Sequence, residues 1–129
     1  MTAIDEIREK LAAKHPELSY EVEDHRICVS APTPNGFDVS LTEGDGQYVV
    51  AFDAWHEHFD SKQTALNCFA SGFSDLYRLK VSLRGDYPYK WTLEYLDDGT
   101  WTEVSTTGLI FFPFWRKRRV EYLSNRIGP

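Results

Sequence analysis

The stretch from Tyr48 to Leu79 constrains the fold more than any other part of the chain. Tyr48–Phe52 is a short apolar run with the length and β-branched content of a buried strand. It passes through Asp53-Ala54-Trp55-His56-Glu57-His58-Phe59-Asp60 into a segment with helical spacing. Asp60 or Ser61 supplies an N-cap, and Gln63 stands three residues after Asp60 as a capping-box partner. Ala65, Phe69, Phe73 and Leu76 then form one apolar stripe, flanked by Leu66 and Tyr77, and Gly72 within it permits close approach to a sheet. A strand feeding a helix of this kind requires an architecture with both element types.

The flanking segments fill in the order. Thr2 is a good N-cap, and Ile4, Ile7 and Leu11 recur at helical spacing, so a helix is expected over 3–14, ended by Pro16. Residues 20–30 favour extended structure. Tyr20 and Val22, then Ile27 and Val29, are the inward candidates, and their change of parity predicts a bulge or bend near Asp24–His25. Pro32, Pro34 and Asn35-Gly36 turn the chain into the alternating strand Phe37, Val39, Leu41, and Gly44-Asp45-Gly46 turns it again.

Beyond the central helix, a strand over Lys80–Arg84 and the Gly85-Asp86-Tyr87-Pro88 turn lead to alternating Trp91, Leu93 and Tyr95. Asp98-Gly99 suits a two-residue type I′ turn, whose register pairs Leu96 with Trp101, Leu93 with Val104 and Glu94 with Glu103. Facing glutamates destabilise a hairpin unless a positive group sits with them. Gly108–Phe112 reads as a further strand, and Pro113 opens a last helix with Val120, Leu123 and Ile127 on one face and Gly128 as its stop. The expectation is one α+β domain over residues 1–129. Its largely antiparallel sheet, a meander plus a hairpin, carries helices on one face in the order α-βββ-α-β-ββ-β-α.

Composition narrows the function classes. Residues 1–60 carry 13 acidic and 4 basic side chains, residues 61–129 carry 7 and 10, and the net charge is −6. This balance argues against nucleic acid, whose backbone rewards a positive face. No apolar run is long enough to span a bilayer, and the charged start Met-Thr-Ala-Ile-Asp-Glu-Ile-Arg lacks the apolar core of a signal peptide, so a cytoplasmic address is expected. In that compartment Cys28 and Cys68, each among apolar neighbours, are expected as reduced thiols. The 8 Phe, 7 Tyr and 4 Trp suit an economically filled core or a ring-lined binding surface.

Two groups of residues can carry function. His56 and His58 project to the same side of an extended segment, and Asp53 and Asp60 are near enough in sequence to complete a nitrogen and oxygen set for a transition metal. The plainer account is a solvated connection with Asp60 as a cap. The second group is Trp115, Arg116, Lys117, Arg118 and Arg119, which follow Phe111-Phe112-Pro113-Phe114. Four cations in a first helical turn are unfavourable unless an anion compensates, so this segment points to an anionic ligand, an acidic partner or a membrane surface. The alternative is that they pair with the acidic N-terminal half. Nucleophile-elbow, Walker, dinucleotide and Cys-x-x-Cys motifs are absent.

The preferred reading is therefore a small non-catalytic cytoplasmic binding domain for a protein, peptide or small ligand, with no cofactor. The alternative is a metal-binding protein or metal-dependent enzyme centred on His56 and His58. Either form is compatible with a homo-oligomer.

Overall fold

A computed structural model describes residues 1–125. It is an α+β fold with two helices and two antiparallel sheets. Helix α1 spans Ala3–Lys14 and begins with a reciprocal cap: the Asp5 amide donates to the Thr2 hydroxyl (3.1 Å), and the Thr2 amide donates to the Asp5 carboxylate (3.3 Å). Its buried face is Ala3, Ile4, Ile7 and Leu11.

Five strands follow in a meander: β1 Tyr20–Glu23, β2 Arg26–Val29, β3 Val39–Gly44, β4 Gln47–Phe52 and β5 Trp55–Phe59. The expected bulge at Asp24–His25 is a full reversal. Asp24 adopts φ 44°, and Val22 lies opposite Ile27, so the parity change reflects two antiparallel strands rather than one bent strand. Asp45 and Gly46 both take positive φ, as a type I′ turn demands. The stretch expected as a connection after Phe52 is instead a third tight hairpin, turning at Asp53 (φ 52°) into β5. The expected three-stranded meander is thus five-stranded, because two of its turns are too short to interrupt the apolar pattern.

Helix α2 spans Lys62–Ser71 and is capped by Ser61, whose hydroxyl accepts from the Thr64 amide (3.4 Å). Gln63 does not close a capping box; it donates to Asn67 one turn on (2.9 Å). The helix ends before the apolar stripe does, leaving Phe73 and Leu76 in the turns that lead to β6. A side-chain carbon on Gly72 would sit 2.8 Å from the Phe52 ring and 3.0 Å from Val39, so this end of α2 rests directly on β3 and β4.

The second sheet comprises β6 Tyr77–Arg84, β7 Tyr87–Asp97, β8 Thr100–Gly108 and β9 Arg118–Leu123, in the spatial order β8-β7-β6-β9. Three hairpin-connected strands with a fourth returning beside the first make a Greek key. Asp98 and Gly99 form the expected positive-φ turn. Leu96 faces Trp101 and Glu94 faces Glu103, but a bulge after Leu93 places Leu93 opposite Ser105 and leaves Val104 exposed.

Two C-terminal expectations are corrected. The expected strand Gly108–Phe112 contributes only Gly108, and the expected helix from Pro113 is replaced by an irregular turn and β9. Pairing with the open edge of β6 satisfies the backbone of Arg118–Leu123, and extension avoids stacking four cations on a positive helix terminus. Ile127 and Gly128 of that expected helix lie outside the described residues. The chain is then anchored by Asn125, which is fully buried: its carbonyl accepts from the Phe37 amide (2.7 Å) and its amide donates to the Phe37 carbonyl (2.6 Å).

Buried residues from both helices and both sheets form one cluster, including Ile7, Leu41, Phe52, Trp55, Phe69, Leu79 and Leu93. Among the described residues no helix is long and apolar enough to cross a membrane.

Candidate functional site

In the order β8-β7-β6-β9 the chain must leave β8, pass the end of the β6–β7 hairpin and reach the far side of β6. Residues 109–117 make this crossing as an irregular strap. Its base is well fastened. The Leu109 amide donates to the Tyr89 carbonyl (2.8 Å), the Phe112 ring stacks on Tyr89 with centroids 4.2 Å apart, and the Gly85 amide donates to the Lys117 carbonyl (2.7 Å). The Arg84 guanidinium lies 5.9 Å from both stacked rings and donates to the Phe114 carbonyl (3.4 Å). Gly85 has φ +61°, and a side-chain carbon there would lie 3.0 Å from Arg116 Cδ, so glycine lets the strap pass closely.

The outer part of the strap is apolar and uncovered. Ile110 is 87% exposed, Phe111 86%, Phe114 69% and Trp115 73%. A fastened loop presenting four large apolar side chains to water is unusual for a protein surface, where such residues are normally scattered singly. Between the strap and the β6–β7 turn lies a shallow depression lined by Asp86, Tyr87, Phe112, Pro113, Trp115 and Arg116.

The basic run continues from this apolar tip. Arg119 is committed to structure: it donates to the Gly85 carbonyl (3.0 Å) and pairs with Asp86 (3.1 Å) and Glu121 (3.3 Å). Its partners belong to the C-terminal half, which corrects the alternative that it pairs with the acidic N-terminal residues. Arg116, Lys117 and Arg118 are exposed, and among the described residues none of them makes an ion pair. The structure therefore brings Trp115, Arg116, Lys117 and Arg118 together with Ile110, Phe111 and Phe114. Reading 108–112 as a strand hides the exposure of Ile110 and Phe111, and reading a helix from Pro113 hides that of Phe114. The signal was present as an unbroken apolar run beside a proline, without the alternation of a half-buried strand.

The histidine group sits elsewhere. His56 and His58 project from the same face of β5, opposite Ala51 and Val49, with ring centroids 5.9 Å apart. The His56 amide donates to the Thr107 hydroxyl (3.2 Å), and its Nδ1 lies 3.2 Å from the Ala54 carbonyl. Asp53 is turned to the hairpin, where its carboxylate accepts from the Asp38 amide (2.8 Å). Desolvation pushes the Asp53 carboxyl upward, opposed by that amide and reinforced by the Asp38 charge. Asp60 is exposed beyond the end of β5. Among the described residues no three His, Cys, Asp or Glu side chains gather as a metal-binding set.

Two further features were not evident from sequence. Arg78 lies over Trp101 (4.2 Å) and Tyr122 (4.0 Å) and donates to Glu94 (2.6 Å), supplying the positive group that the Glu94–Glu103 pair calls for. A groove of about 260 Å³ runs between the two helices over Ile7, Leu11, Leu18, Leu66, Phe69 and Phe73. Cys28 and Cys68 are both free and half-buried. Comparison with known protein families, curated proteins and solved structures gives no match.

Proposed function

We propose that this protein is a non-catalytic cytoplasmic binding domain that docks on an acidic partner surface through the 109–117 strap and the adjoining Arg118. The observation that carries this reading is the continuity of four uncovered apolar side chains with three exposed cations. Apolar groups supply affinity where they leave water, and adjoining charges steer encounter and fix orientation. The fastened base reduces the ordering cost of binding, because the strap is already held by Tyr89, Arg84 and Gly85.

The test is site-specific photocrosslinking in cells with a benzoylphenyl group at position 111, compared with the same group at the remote exposed position 22. Adducts specific to position 111 are expected, and replacing Arg116, Lys117 and Arg118 with glutamine should reduce their yield roughly 10-fold. Arg119 is left intact because it holds the β6–β7 turn. Equal yields from both positions, or yields indifferent to the three substitutions, would remove the strap as a docking surface.

A further inference from the structure

We infer that the acidic partner surface is the anionic face of a lipid bilayer. Ile110, Phe111, Phe114 and Trp115 enter the interfacial region while Arg116, Lys117 and Arg118 contact the headgroups. This inference rests on the docking reading above and names its partner.

The side-chain chemistry comes first. The tip joins an aliphatic residue, two phenylalanines and a tryptophan to cations that follow in sequence without a break. Tryptophan is favoured at the boundary between hydrocarbon and headgroups, and long basic chains can bury their stems there while their charges reach the phosphates. Each tip residue is between 69% and 87% exposed, and the depression that Trp115 borders is shallow.

The strap backbone is also held in place before any partner arrives, which lowers the ordering cost of docking. The amides of Leu109, Phe114 and Arg116 donate within the protein, and Pro113 has none to satisfy. The carbonyls of Phe112, Pro113, Phe114 and Lys117 accept from the Phe114 amide, the Arg116 amide, Arg84 and the Gly85 amide respectively. These bonds fix the base and the turn of the loop, and the peptide groups of Ile110, Phe111 and Trp115 take no part in them.

Charge then fixes the occupant and its orientation. The whole chain carries −6, whereas residues 109–119 contain four cations and no acid. Asp86 and Glu121, in the adjoining turn and strand, are held by Arg119. An anionic membrane repels most of this molecule and attracts the strap, so approach is tip-first. A second copy of the chain docking tip to tip would place Arg116, Lys117 and Arg118 against their own counterparts, which like-charge repulsion disfavours.

The experiment is co-sedimentation of the whole protein with vesicles of phosphatidylcholine alone and of equal parts phosphatidylcholine and phosphatidylserine. Sedimentation is expected with the anionic vesicles only, and it should weaken as salt screens the headgroups. Replacing Arg116, Lys117 and Arg118 with glutamine should lower partitioning on the order of 100-fold, from the contribution of each cation near an anionic surface. The pair Ile110→Ser and Phe111→Ser should lower it by about 10-fold or more through lost apolar burial. Circular dichroism of each variant checks that the fold is retained.

Equal sedimentation with both vesicle types, or binding indifferent to both sets of substitutions, would overturn the inference. Absence of vesicle binding accompanied by strap-dependent protein adducts at position 111 would replace the bilayer with an acidic protein and leave the docking surface standing. Absence of vesicle binding and of such adducts would overturn both.

Discussion

At the scale of single residues, ionisable groups inside the fold report on packing. Cys68 on α2 is half-buried, and burial pushes its thiol from an ordinary value near 9 up to about 12. The nearby Glu57 charge adds to this, and a hydrogen bond with Ser71 opposes it. The folded thiol keeps its proton where the unfolded one loses it, so alkali favours unfolding. This part of the stability is complete below about pH 9 and is lost progressively as pH rises toward about 12. Tyr77 is also raised, chiefly by desolvation, and acts in the same direction. Melting temperature should therefore fall as pH rises above about 9, and Cys68→Ala should flatten the fall without abolishing it. A wild-type and variant pair with identical pH slopes would show that Cys68 is not desolvated as described. At neutral pH the same thiol should react with disulfide reagents only after unfolding, since the thiolate is the reactive form.

At the scale of elements, the strap separates residues that support the fold from residues that only project. Phe112 stacks on Tyr89, whereas Ile110 and Phe111 are almost fully exposed. Ile110→Ser with Phe111→Ser should therefore change unfolding free energy by no more than about 0.5 kcal/mol per site, as for ordinary surface substitutions. Phe112→Ala should cost about 1–3 kcal/mol, through lost burial and the lost ring contact. Urea titrations of the two variants check this, and equal losses would mean that the tip is packed. Sequence made some elements legible and not others for a common reason. The Thr2 cap of α1 and the Asp98-Gly99 turn are decided by neighbours a few residues away, so both are readable from local chemistry. Strand β9 is decided by the open edge of β6, about 40 residues earlier, and helical spacing of Val120 and Leu123 could not reveal it. The exposure of Ile110 and Phe111 was hidden by the ordinary assumption that apolar runs are buried. The cations at 116–118 were legible as a group, whereas the engagement of Arg119 depended on a turn at Gly85–Asp86.

At the scale of the whole molecule, the two sheets meet where the edge of β5 faces β8. Trp55 is fully buried, stacks on Phe52 with centroids 4.8 Å apart, and donates its indole N–H to the Ser105 hydroxyl (2.9 Å). The neighbouring His56 amide donates to Thr107, so a backbone donor of one sheet is satisfied by a side chain of the other. Asn125 adds a second tie, from the residues after β9 back to Phe37 ahead of β3. Truncation of Trp55 acts on both sheets at once. Trp55→Ala should cost about 3–5 kcal/mol by cavity formation, while Trp55→Phe keeps most of the ring packing. The latter should cost on the order of 1 kcal/mol for the lost hydrogen bond, because the partly exposed Ser105 hydroxyl can turn to water. Since buried residues of both sheets and both helices share one cluster, each variant should shift one cooperative transition. In urea, tryptophan fluorescence and far-ultraviolet circular dichroism should give a common midpoint for wild type and for Trp55→Phe. Separated midpoints would show that the meander and the Greek key unfold independently, and that the Trp55–Ser105 contact joins two units rather than closing one core.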